Sequence, residues 1–144
     1  MASVHKIVQP LNSYLTIPAA ELGNGTPVQV RILGDMASIA QDFALTLKQE
    51  MLAAQAAGRG GTFIVPVGPV DQFPILARMV NEERVSLREV VFINMDEYLT
   101  DDDEWVQASH PLSFRGYMER AFYALLDPKL RPPPEHRVFP DTRD

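Results

Sequence analysis

Two adjacent carboxylates, Asp96 and Glu97, follow closely on the apolar run Val90-Val91-Phe92-Ile93, with only Asn94 and Met95 between. The run is β-branched or aromatic and has no polar alternation. It therefore reads as a strand buried on both faces, as in a parallel sheet. In open α/β sheets, ligands bind in the crevice beyond the carboxyl ends of the strands, which is where Asp96 and Glu97 stand. A carboxylate half-sheltered by a sheet edge can serve as a general base, because burial raises its pKa toward the working range. An acidic pair after a strand also commonly opens a solvated loop, and spacing alone does not separate the two readings.

Three further groups bear on chemistry. Pro66-Val67-Gly68-Pro69 follows the apolar run Thr62-Phe63-Ile64-Val65 and precedes a helix starting near Asp71. A strand, a glycine turn and a helix start together aim backbone N–H groups at an anion, although a single Gly between prolines also makes an ordinary tight turn. His110, in Ser109-His110-Pro111, is either a hydrogen-bonded structural residue or an acid–base group. Asp101-Asp102-Asp103-Glu104 offers carboxylate oxygens of the kind hard cations take. It lacks calcium-loop spacing and a glycine pivot, so it reads as a solvated, flexible loop. Trp105 is placed to pin that loop, which lies next to the presumed site as a lid would.

The positioning elements are legible from periodicity. Residues 1–27 form an irregular arm punctuated by Pro10, Pro18, Gly23 and Gly25, with Val4–Val8 as an optional edge strand. Val28, Val30 and Ile32 alternate, which predicts a half-buried strand over Val28–Leu33. Asp35 is placed to cap a helix from about Met36 to Ala57. Ile39, Phe43, Leu47 and Met51 form its stripe, and Gly58-Arg59-Gly60-Gly61 ends it. A second helix covers about Gln72–Glu82, with Phe73, Leu76, Met79 and Val80 apolar and Pro74 tolerated in the first turn. A third begins at Ser109-His110-Pro111 and buries Phe114, Met118, Ala121, Phe122 and Leu125. Arg131–Glu135 is a stiff connector, and Arg137–Pro140 is placed to form a short last strand. Strand–helix alternation argues for parallel pairing with right-handed crossovers. It puts Val67–Gly68 and Asp96 on one sheet edge, facing one ligand.

Composition sets the class. The 144 residues suit a single domain, and 46% hydrophobic with 22% charged residues fits an ordinary globular chain. A net charge of −6 argues against nucleic acid and anionic membrane as partners. No cysteine means no disulfide, no thiol catalysis and no Cys-based zinc site. No run has the length of a membrane span, and the N-terminus lacks the apolar core of a signal peptide. The expected location is the cytoplasm.

Asn94-Met95-Asp96-Glu97-Tyr98, after Val90-Val91, resembles the N-M-D-E-Y signature of the glucosamine-6-phosphate deaminase/isomerase family. His110-Pro111-Leu112-Ser113-Phe114 resembles the H-P-x-S-Y block that follows it, with Phe114 in place of Tyr. Val85-Ser86-Leu87 is also similar, so the likeness runs in order over roughly residues 60–140. It implies a Rossmann-like, three-layer αβα fold with a mostly parallel sheet, complete only in its N-terminal half. It implies aldose–ketose isomerisation of an amino-sugar phosphate with ammonia release, with Asp96 as the catalytic base. Val67, Gly68, Glu97 and His110 would bind the substrate or shape its site, with no metal and no organic cofactor. The family's P-[ST]-G-[SG]-T-P phosphate loop is two residues shorter here. Val67 replaces its first hydroxyl residue, which leaves only the backbone amides near Gly68. A later G-H-x-x-x-N-E type motif is absent. A catalytically inactive sugar-phosphate-binding module or a truncated fragment is therefore an alternative. A 6-phosphogluconolactonase-like hydrolase ranks lower, since such relatives show D-E-R where this chain has Asp96-Glu97-Tyr98. A sheet cut at one edge is expected to expose an apolar strip or to make an intermolecular contact, as in a homo-oligomer.

Overall fold

In the computed structural model of the chain, which describes residues 12–68 and 71–140, the backbone falls into two units, Met1–Gly34 and Asp35–Asp144. Within the first unit, Ser13–Thr16 and Ala19–Glu21 are short 3-10 turns. The strand expected over Val28–Leu33 does not form. Those residues have no ladder partner, and Val28, Val30 and Ile32 are exposed. Alternation supplies the face of a strand but not the neighbour that would satisfy its N–H and C=O groups. The Val4–Val8 strand lies outside the described residues.

The second unit begins with a capped helix. Asp35 Oδ1 accepts a hydrogen bond from the Ser38 N–H at 2.7 Å, which starts α1 (Met36–Ala56). At its far end Gly58, at φ +69°, lets its own N–H reach the Gln55 carbonyl and the Arg59 N–H reach that of Ala54. This paired closure requires a left-handed residue. The buried face is Ala40, Ala44, Leu47, Lys48 and Met51. Leu47 and Met51 are on the expected stripe, whereas Ile39 is exposed and Phe43 is only partly buried. The stripe is rotated because α1 packs mainly on α2 (Gln72–Glu83). There Lys48 lays its stem along the interface and meets Glu83 at 2.5 Å.

Three parallel strands follow in the order β1 (Thr62–Val65), β2 (Val91–Asn94), β3 (Arg137–Val138). Thr62 pairs with Val91 and Val65 with Asn94, while Phe92 pairs with Arg137 and Ile93 with Val138. Alternation sends Phe63, Val65, Phe92 and Asn94 to one face. On that face Phe92 lies 5.4 Å from Phe122 and 6.1 Å from Tyr123, and Phe73 of α2 lies 5.4 Å from Phe122. All four predicted residues of α2, Phe73, Leu76, Met79 and Val80, are buried in this core. The opposite face carries Ile64, 67% exposed, Val138, 40% exposed, and Met95 just past β2, 61% exposed. The strands were expected to be buried on both sides; only the side facing the helices is. On the other side Ile64, Val138 and Met95 form an exposed apolar strip. The whole is a mixed α/β fold.

The third helix starts later than expected. α3 spans Phe114–Ala121, and its cap is Ser113, whose Oγ accepts from the Gly116 N–H at 3.0 Å. Ser109 is not the cap, because residues 109–112 form turns. At Gly116 the helix runs against the Ala108 carbonyl oxygen, where a Cβ would overlap it. The helix breaks at Phe122, and a 3-10 turn, Tyr123–Leu125, buries Tyr123 and Leu126 while leaving Leu125 exposed. The expected connector over residues 131–135 contains a further 3-10 turn from Pro134, which leads into β3.

Candidate functional site at the carboxyl rim of the sheet

Register places the candidate residues on one rim. Val65 and Asn94 are Cα partners at the ends of β1 and β2, and the Met95 N–H donates to the Val65 carbonyl at 3.1 Å. Val67 and Asp96, each two residues past its strand, therefore leave the sheet side by side. The expected meeting of the Val67 turn and the acidic pair at one edge is what the topology gives. Asn94, buried, donates Nδ2–H to the Val138 carbonyl at 3.2 Å and ties the neighbouring strand end into the same rim.

The two carboxylates are treated in opposite ways. Glu97 is drawn into the N-terminus of α3. Its Oε2 accepts from the Ser113 hydroxyl and the Arg115 N–H, and its Oε1 from the Phe114 N–H, each at 2.9 Å. Its own chain adds the Tyr98 N–H at 3.0 Å. Partial burial pushes the Glu97 carboxyl up. The backbone N–H groups of Arg115, Phe114 and Tyr98, with the Ser113 hydroxyl, outweigh that and hold it below its usual range. The first turn of a helix has unmet N–H groups and a partial positive charge, and a carboxylate there satisfies both. Asp96, one residue earlier, is exposed to solvent. The half-sheltered setting expected of it is not what the fold provides, because the chain turns Glu97 inward.

From Glu97 the chain enters a short antiparallel excursion. Leu99 bridges Trp105, and the Val106 N–H donates to the Tyr98 carbonyl at 3.1 Å. The acidic stretch Asp101–Glu104 forms its turn. Thr100 organises the turn, accepting at its carbonyl from the Asp103 N–H and at Oγ1 from the Asp102 and Glu104 N–H groups. Among the described residues no group of three His, Asp or Glu side chains is arranged to hold a metal ion.

Between this excursion and α3 lies a pocket of about 170 Å³. Its walls are Val67 from the β1 turn, the Tyr98 ring, and Phe114 and Tyr117 of α3; Pro111, Leu112 and Ser113 close one side. The Tyr98 and Phe114 rings lie 4.9 Å apart. Burial pushes the Tyr117 hydroxyl up in pKa, and the negative charge of Asp71 adds to that shift. Of the residues expected to bind substrate, Val67 lines this pocket and Glu97 grips three of its wall residues, Tyr98, Ser113 and Phe114. Asp96 and Gly68 are on the same rim and His110 is in the turn before α3, but none of the three lines the pocket. His110 is exposed, and its Nδ1 accepts from the Leu112 N–H at 3.2 Å, which shapes the turn into α3. The aromatic walls were not singled out from sequence. The available signal was that Phe114 and Tyr117 stand three apart beside a capped helix start, so one face of the first turn presents both.

Over 67 residues the chain is 28% identical to glucosamine-6-phosphate deaminase from Borrelia garinii subsp. bavariensis; the match covers 45% of this chain and 23% of that protein. The aligned part is thus less than a quarter of that relative's length. No family model matches the chain. The similarity supports a relationship to the sugar-phosphate isomerase and deaminase family at most. Among the described residues no helix is long and apolar enough to cross a membrane.

Proposed function

We propose that this chain is the sheet-and-rim part of a sugar-phosphate isomerase or deaminase, acting on an amino-sugar phosphate such as glucosamine 6-phosphate. The observation that carries this reading is the adjacency of the Val67–Gly68 turn and Asp96 at the carboxyl ends of neighbouring parallel strands. The weak likeness to a glucosamine-6-phosphate deaminase supports it. In this reading Asp96 takes the proton from the amino-bearing carbon next to the carbonyl and returns it to the former carbonyl carbon. The imine that results at the amino carbon adds water, and ammonia leaves as the C–N bond breaks and the water oxygen becomes the ketone oxygen. Backbone N–H groups near Gly68 hold the phosphate, and His110 orders the turn that leads into α3. Glu97 does not touch substrate; it fixes Asp96 by anchoring the residue beside it. The open face carrying Ile64 and Val138 is the place for a second helical layer of a Rossmann-like, three-layer fold. The working location is the cytoplasm.

The test is solvent-deuterium incorporation into glucosamine 6-phosphate or fructose 6-phosphate, followed by NMR. The 144-residue chain alone is expected to be inactive. The full-length protein is expected to incorporate deuterium beside the carbonyl carbon, and Asp96→Asn to lower its rate by about 10²–10⁴-fold, the usual contribution of a general base. Unchanged incorporation in Asp96→Asn removes Asp96 from the mechanism. The exposure of Asp96 favours a second reading, a sugar-phosphate-binding module without chemistry. Calorimetric binding of glucosamine 6-phosphate with no deuterium incorporation supports the module, and incorporation rules it out.

A further inference from the structure

We propose that the pocket walled by Tyr98, Phe114 and Tyr117 is a binding site for a small organic cation, a ligand group that carries an ammonium. Apart from Ser113 its walls are aromatic and aliphatic, and among the described residues no basic side chain lines it. The faces of aromatic rings are electron-rich, and they attract a cation seated within about 6 Å of the ring centre. Tyr98 and Phe114 present two rings 4.9 Å apart, and Tyr117 supplies a third from the same first turn of α3 as Phe114.

The surroundings carry the same sign of charge. Asp71 is close enough for its negative charge to be felt at the Tyr117 hydroxyl. The turn Asp101–Glu104 belongs to the excursion that holds Tyr98, and Asp96 is two residues before it. Arg115 is directed elsewhere, with its guanidinium over the Phe139 ring and Nη2–H donating to the Pro140 carbonyl. The Ser113 hydroxyl is already engaged, donating to Glu97 and accepting from Gly116. An anion would meet no basic group among the described lining residues and would have the acidic turn Asp101–Glu104 on the same excursion as Tyr98. The volume of about 170 Å³ equals the liquid volume of about five or six waters, which suits a methylated or primary ammonium head but not a large ring system.

This inference does not require the sugar-phosphate reading. An amino sugar would present such a group, but so would other amines. Its test therefore uses no sugar. Tetramethylammonium chloride is titrated into the 144-residue protein, with sodium chloride as the ionic-strength control, while ring signals of Tyr98, Phe114 and Tyr117 are followed by NMR. Saturable shifts of all three are expected. tert-Butanol, of similar size but neutral, should bind at least about threefold more weakly. Tyr98→Leu, at a half-exposed ring whose loss spares the core, should weaken the cation by about threefold. Asp71→Asn should weaken the cation without changing the response to tert-butanol. Ring signals that stay still, equal affinity for tert-butanol, or an Asp71→Asn protein with undiminished affinity for the cation would each overturn the proposal. None of those results bears on proton transfer by Asp96.

Discussion

At the residue scale, two neighbouring acids divide into a clamp and an open group. Backbone direction decides which is which. After β2 the chain points Glu97 at α3 and leaves Asp96 in solvent. Because hydrogen bonds hold the Glu97 carboxyl below its usual range, its ionised form stabilises the fold. That contribution is present above the ordinary carboxyl value and is lost as pH falls through the lowered one. Urea unfolding from about pH 5 to below about pH 3 should therefore cost wild type more stability than Glu97→Gln. Asp35 and Asp127 are also held low, but both proteins share them. Equal losses in the two proteins would remove Glu97 from the clamp role. The acidic pair and its place after a strand could be read from sequence. Which acid turned inward could not, because that depends on where α3 begins, and Ser109 and Ser113 offer equally good caps.

At the scale of elements, α1, α2, β1 and β2 were legible because their apolar periods are strong and their ends carry capping chemistry. Asp35 and Gly58 mark both ends of α1 in the sequence and in the fold. Val28–Leu33 failed for the complementary reason: alternation predicts a face, and a strand needs a partner as well. In α3 the expected stripe is buried at Met118 and Phe122 and half-buried at Phe114 and Ala121. It fails at Leu125, because the backbone changes course at Phe122. α3 is held close to the preceding turn by Gly116, which has no Cβ to strike the Ala108 carbonyl. Gly116→Ala should push that turn away and destabilise the protein by about 1–3 kcal/mol, as overpacking does. Chemical denaturation measures this, and a change under about 0.5 kcal/mol would mean that the contact relaxes freely.

On the scale of the whole molecule, the second unit builds its core on one side of a three-stranded parallel sheet and leaves Ile64 and Val138 open on the other. Sequence reading anticipated an uncovered apolar strip from the missing C-terminal motif, though it treated each strand as buried on both faces. An apolar run does not say how many of its faces a helix covers. The account's central claim is that the rim is built by anchoring Glu97 so that Asp96 remains free. Thermal unfolding of Asp96→Asn and Glu97→Gln, measured side by side with wild type, tests it most directly. The account predicts an unchanged midpoint for Asp96→Asn and a fall of roughly 3–6 °C for Glu97→Gln. A fall in Asp96→Asn with none in Glu97→Gln would contradict it.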